Sequence, residues 1–182
     1  MNIESQIKSN KELIIEGVKN FNLSEGNIAQ LNSEEWRYFC TEKKEDLNFY
    51  EQNWKNYFIK DYANGLGVNK KLVNDVKLSD LLSNEKILNV FYFEVWGSVL
   101  EHKDPCGTIY RYPKKEYDTL LIPIQIPTKN TNYFKTFYNK NYVDLKEGEF
   151  YKWDVSNIPH YWYFDFSKVN KLFKLLHIDY IE

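Results

Sequence analysis

From Lys86 onward the chain is a succession of short apolar runs cut by polar turns, and none of the intervals between them reads as a helix. Ile87-Leu-Asn-Val-Phe-Tyr-Phe-Glu-Val-Trp96 is β-branched and aromatic, and Tyr117 to Ile126 is another such run. Tyr133 to Tyr138, Glu149 to Val155, His160 to Phe166 and Leu172 to Ile181 follow, separated by turns such as Lys129-Asn-Thr-Asn132 and Lys146-Glu-Gly-Glu149. Consecutive strands without crossover helices can pair only with antiparallel neighbours, so this half predicts a sandwich or barrel. Pro123 and Pro127 cannot donate to a ladder, which predicts an edge position or a kink for their strand.

The first 85 residues have a different period. Ile7, Leu13, Ile14, Val18 and Phe21 fall at helical spacing, and Ser79-Asp-Leu-Leu82 predicts a further short helix. Between them lie Tyr-rich stretches, Glu34 to Phe39 and Leu47 to Tyr62, ended by Ala63-Asn-Gly-Leu-Gly67. The fold class expected is therefore α+β, mainly β, with N-terminal helices packed on a sheet. No linker or repeat divides the 182 residues, so the expectation is one domain, with a mainly helical part over 1–85 and a strand-rich part over 86–182.

Composition narrows the classes of partner. At 43% hydrophobic and 18% aromatic residues, the chain has far more burial-prone surface than a disordered one. A net charge of −2, with Arg37 and Arg111 as its two arginines, argues against nucleic acid and against an anionic membrane surface. Cys40 and Cys106 form neither a disulfide framework nor a CxxC zinc spacing. The N-terminus lacks the apolar core of a signal peptide and no run approaches a membrane span, so a soluble, cytoplasmic protein is expected.

The chemistry-bearing residues are the three histidines. His102 and Asp104 form a His-x-Asp pair after an apolar strand, ahead of a polar loop carrying Pro105 and Gly107. Alternate residues of a strand point the same way, so such a pair can grip one ion from a strand end. His160 lies between the turn Ser156-Asn-Ile-Pro159 and the aromatic run Tyr161-Trp-Tyr-Phe164. Two imidazoles and one carboxylate make the facial set of a non-haem Fe(II) site. The competing reading makes His102-Lys-Asp104 a charged turn and His160 a satisfied loop histidine. A second match, His177-Ile178-Asp179, has no histidine downstream and is expected to be a surface or core-edge strand pair.

Residues 96–182 resemble the Fe(II)- and 2-oxoglutarate-dependent dioxygenases, nearest the aspartyl/asparaginyl β-hydroxylase-like branch. The resemblance rests on His102-x-Asp104, on Leu120-Leu-Ile-Pro123, and on Leu145-Lys-Glu-Gly-Glu-Phe-Tyr-Lys-Trp-Asp-Val155 leading to His160. Gly148 and Trp153-Asp154 stand where that family has a glycine turn and an aromatic-Asp pair. It implies a double-stranded β-helix of jelly-roll or cupin-like form. It also implies Fe(II) on His102, Asp104 and His160, 2-oxoglutarate and O2 as cosubstrates, and hydroxylation of a peptidyl side chain or small molecule. The family's cosubstrate arginine is replaced, because Asn170 stands ten residues past His160. Lys171, Lys174 and Arg111 are the candidate cations, with Tyr110 or Tyr112 as possible hydroxyl donors. Cys106, beside Asp104, is read as an inert thiol or a site of self-oxidation. Two rivals share the sequence: a cupin-like metal-dependent isomerase or hydrolase, and a non-catalytic aromatic-rich binding module.

Overall fold

The computed structural model describes residues 2–29, 54–103, 117–165 and 167–182. Arg37, Cys40, Asp104, Cys106, Tyr110, Arg111 and Tyr112 lie outside the described residues.

Two short helices open the chain. α1 (Ile3–Ser9) is capped by Asn2, whose side chain accepts from Ser5 N, and α2 (Lys11–Lys19) follows after Asn10. The single helix suggested by the apolar spacing is thus divided at Asn10, whose side-chain amide donates back to Gln6 O. Both pieces bury the same kind of face, with Ile3, Ile7, Ile14 and Val18 inside. A third helix, α3 (Val76–Leu82), begins at Asp75, whose carboxylate accepts from Leu78 N. Its C-terminal end is closed by Lys60, whose ammonium donates to Leu82 O and Asn84 O at 3.0 and 2.7 Å. Burial pushes the Lys60 pKa down from its ordinary value.

Among the described residues, the strands form two antiparallel sheets. They are β1 (Asn27–Ala29), β2 (Trp54–Asp61), β3 (Ile87–Val95), β4 (Val99–His102), β5 (Asp118–Gln125), β6 (Phe134–Tyr138), β7 (Asn141–Val143), β8 (Tyr151–Lys152), β9 (His160–Phe164) and β10 (Phe173–Tyr180). One sheet has six strands in the order β1-β2-β3-β10-β5-β8, and the other has four in the order β4-β9-β6-β7. The N-terminal part is therefore not only helical: β1 and β2 extend the larger sheet, with Tyr57 and Ile59 of β2 buried on one face. Tyr57 and Ile59 alternate with the half-buried Asn56 and Phe58, the period of a strand with one face inside.

Every strand of the larger sheet from β3 to β5 is covered on both faces. One face carries Val90, Tyr92, Leu120, Ile122, Leu176 and Ile178 against the helices. The other, with Val95, Leu121, Phe173 and Leu175, meets Val99, Phe134, Trp162 and Phe164 of the smaller sheet. β5 is accordingly internal, between β10 and β8, rather than an edge strand. Its kink is real: the β10 ladder jumps from Gln125 to Pro123, leaving Ile124 as the extra residue where proline has no N–H to give. Gly148, at φ 75°, turns the chain into β8, and its N–H donates to Pro123 O.

Candidate metal centre

His102 ends β4 and His160 begins β9, and the two are direct cross-strand partners. Their placement depends on an irregularity. Val99 pairs with Trp162, so an even ladder would bring Glu101 opposite His160. One extra residue in β4 brings His102 there instead, onto the face that Val99 shares with Trp162 and Phe164. Both histidines are buried, at 3% and 5% exposure, on the side of the smaller sheet that faces the larger one.

Their ring centroids lie 4.4 Å apart with the planes at 57°. An octahedral ion with metal–nitrogen bonds of about 2.1 Å holds two cis imidazole centroids about 4.5 Å apart, so this pair fits two adjacent corners. The tautomer is suitable as well. His160 Nδ1 is 3.2 Å from Ile158 O, which can only accept, so in the neutral ring Nδ1 carries the hydrogen and Nε2 the lone pair. The His160 ring rests near Trp153, at 6.1 Å between centroids, and Trp153 in turn stacks on Tyr138 at 4.7 Å. Trp162 donates its indole N–H to Gly97 O at 3.2 Å, fixing the turn between β3 and β4.

Of the run Tyr161 to Phe164, Trp162 and Phe164 are buried between the sheets, whereas Tyr163 is exposed and Tyr161 stacks on Phe137 at 4.5 Å. Two of the four residues of this run therefore face inward.

Asp104 and Arg111 lie outside the described residues. Among the described residues, no group of three or more His, Cys, Asp or Glu could hold a metal ion. Lys174 does not approach the histidines. It sits on the face of β10 shared with Leu176 and Ile178, and its ammonium is 3.5 Å from Glu94 Oε1 on β3. Glu94 also accepts from the Tyr92 hydroxyl, and burial followed by the Glu94 charge pushes Tyr92 well above the usual phenol range. Lys171 is exposed in the bend ahead of β10.

His177 is the residue the sequence undervalued. It is 5% exposed in the middle of β10, and its partner Asp179 is 3% exposed. His177 Nε2 donates to Asp179 Oδ1 at 2.7 Å, Thr119 Oγ1 donates to the same oxygen at 2.7 Å, and Asn89 Nδ2 donates to Oδ2 at 3.0 Å. Asn89 Oδ1 accepts from Tyr62 N, closing the network on β2's end. The signal was present. β10 is apolar on both faces, so any polar pair within it must be buried and mutually bonded.

No family model matches the sequence, and no curated protein matches it. Solved structures overlap it at low similarity. A predicted oxalate decarboxylase from Thermotoga maritima is 12% identical, with 89% of this chain and 98% of that one covered at a TM-score of 0.42. A cupin 2 conserved barrel domain protein from Rhodopseudomonas palustris is 9% identical over 86% and 81% of the two chains, at 0.39. An HTH_3 family transcriptional regulator from Vibrio cholerae is 12% identical over 71% and 52%, at 0.37. Among the described residues, no helix is long and apolar enough to cross a membrane.

Proposed function

We propose that this chain is a cupin-like metal-dependent enzyme, holding one divalent ion through His102 and His160 and acting on a small molecule or side chain bound between its sheets. The observation that carries it is the His102–His160 pair: cross-strand, inward-facing, buried, and spaced as two cis ligands of one ion. Strand order supports the cupin-like form. From β3 onward the chain passes back and forth between the sheets, so that β3-β10-β5-β8 and β4-β9-β6-β7 read as the two halves of a double-stranded β-helix. When bound, the ion supplies Lewis acidity or, as Fe(II), oxygen chemistry. The chain's own part is to fix both imidazoles from one ladder, with Ile158 O orienting His160, and to keep water out with Trp153, Trp162 and Phe164.

The narrower reading is an Fe(II)- and 2-oxoglutarate-dependent hydroxylase with Asp104 as third ligand. What favours it is the pairing of two imidazoles with a carboxylate two residues beyond His102, which leaves one face of the ion for cosubstrate and oxygen. With Lys174 turned to Glu94, the cosubstrate cation falls to Arg111 or Lys171. An acidic chain with two arginines suits a peptide or small-molecule substrate in the cytoplasm, with neither nucleic acid nor membrane as partner. Anaerobic loading with Fe(II) followed by 2-oxoglutarate tests the reading. A charge-transfer band of the chelate, lost in His102→Ala, supports the hydroxylase. Iron binding without the band removes the 2-oxoglutarate step and leaves the cupin-like reading.

A further inference from the structure

A chain of aromatic rings in contact runs from the candidate metal centre toward the surface. The His160 ring, 4.4 Å from that of His102, lies 6.1 Å from the Trp153 ring, an edge-contact spacing. Trp153 in turn stacks on Tyr138 at 4.7 Å with the planes at 22°. Both sheets take part in this alignment. Trp153 follows β8 directly, and its backbone N–H donates to Thr119 O, so the larger sheet anchors it. Tyr138 ends β6 directly opposite His160 in the smaller sheet. Trp153 is 8% exposed, whereas Tyr138 is half-buried beside the exposed turn residues Asn139 and Lys140. The Tyr138 hydroxyl accepts from Asp154 N at 2.9 Å, and its own hydrogen has no acceptor among the described residues. The identity of the rings matters. Indole and phenol give up an electron far more readily than the phenyl rings of Phe134, Phe164 and Phe173, which fill the interior further along β6, β9 and β10. Electron transfer between rings in contact requires neither an open cavity nor a mobile side chain.

We propose that Trp153 and Tyr138 form an electron relay, which carries oxidising equivalents from the His102–His160 ion to the protein surface when a peroxide reaches that ion with no substrate bound. This rests on the metal reading above, with iron as the ion. In the step proposed, the peroxide O–O bond breaks and takes up two electrons. Fe(II) supplies one and becomes Fe(III). Trp153 supplies the other from its indole ring and is refilled by Tyr138, whose O–H bond breaks. With hydrogen peroxide the products are one water, one hydroxide and a neutral phenoxyl radical at Tyr138, so the phenolic hydrogen ends in water. The Asp154 N–H stays on the phenolic oxygen and holds the ring against Trp153. The relay thereby protects His102 and His160, whose own oxidation would release the ion.

The test loads the protein anaerobically with Fe(II), adds one equivalent of hydrogen peroxide, freezes the mixture and records electron paramagnetic resonance. Wild type is expected to show a tyrosyl radical whose hyperfine pattern collapses when the protein carries ring-deuterated tyrosine. Tyr138→Phe is expected to lose that signal and to accumulate oxidised Trp153, read by peptide mass. Trp153→Phe is expected to lose the signal with Tyr138 still in place, whereas Tyr163→Phe, at an exposed tyrosine outside the relay, keeps it. Tyr138→Phe removes a single hydroxyl, so it carries the test should Trp153→Phe not fold. A tyrosyl signal that survives either relay substitution, its absence from iron-loaded wild type, or an unmodified Trp153 in peroxide-treated Tyr138→Phe overturns the proposal and leaves the two rings as packing. Failure of the metal reading looks different: iron is lost from wild type on desalting, or is retained undiminished by His102→Ala.

Discussion

His102 and His160 face each other across one step of the β4–β9 ladder only because β4 carries an extra residue between Val99 and His102. An irregular strand is here the device that aims a side chain, which is where such irregularities concentrate in proteins. The surrounding packing must hold that step in register, and Trp162 is its nearest anchor. Trp162→Ala, which opens a cavity between the sheets and removes the bond to Gly97 O, is expected to lower unfolding free energy by about 3–5 kcal/mol. Trp162→Phe keeps most of the volume and should cost about 1–2 kcal/mol. Urea denaturation separates the two.

Lys174 should be dispensable for ligand binding. Its ion pair with Glu94 lies on the opposite face of β10 from His177, so Lys174→Met is expected to leave metal and 2-oxoglutarate titrations unchanged. Its effect on stability should stay below about 1 kcal/mol, because the pair is partly solvated. A large loss of 2-oxoglutarate affinity in this variant would mean that β10 presents its other face to the site.

The turn before β8 should tolerate no side chain at Gly148. Its φ of 75° is costly for an L residue, and an added Cβ would stand 3.0 Å from Ile15 Cδ1 of α2. Gly148→Ala is expected to destabilise by about 1–2 kcal/mol, read as a fall in thermal midpoint.

The strand-rich half was legible because β-branched and aromatic residues crowd into runs bounded by polar turns, and all six runs contain a strand. Short strands were not. β4 and β7 have too few residues for a period to show, and β8 keeps only Tyr151 and Lys152 of a longer run. β2 was obscured because its Tyr and Phe residues sit next to stretches of helical spacing, and pairing with β3 decided its state. Spacing and context single out His102 and His160, but the extra residue that pairs them across the ladder leaves no mark in composition. His177 was discounted as a cheap His-x-Asp match. What distinguishes it is that both faces of β10 are covered, a tertiary fact that the apolar flanks Leu175, Leu176 and Ile178 hinted at.

Acid should loosen the junction between α1 and the chain's end. Glu4 bonds Lys8, Tyr180 and Lys152, and these donors, Lys8 foremost, hold its carboxyl down to about 2 from 4.5. A depressed carboxyl pKa stabilises above the unfolded value and loses that contribution as pH falls toward the folded one. Wild type should therefore exceed Glu4→Gln in stability by on the order of 1 kcal/mol at pH 7, after solvent screening. The difference should shrink between about pH 4.5 and about pH 2. Denaturant midpoints of both proteins across that window check the sign.

The most direct measurement is an anaerobic Co(II) titration of wild type, His102→Ala and His160→Ala, followed by visible absorption and by metal content after desalting. Wild type is expected to take up one Co(II) per chain with a ligand-field spectrum that shifts when a bidentate acid is added. Each single variant is expected to lose at least tenfold in affinity while keeping the wild-type far-UV spectrum. Undiminished binding in both variants, or no binding by wild type, would contradict a metal centre at this pair.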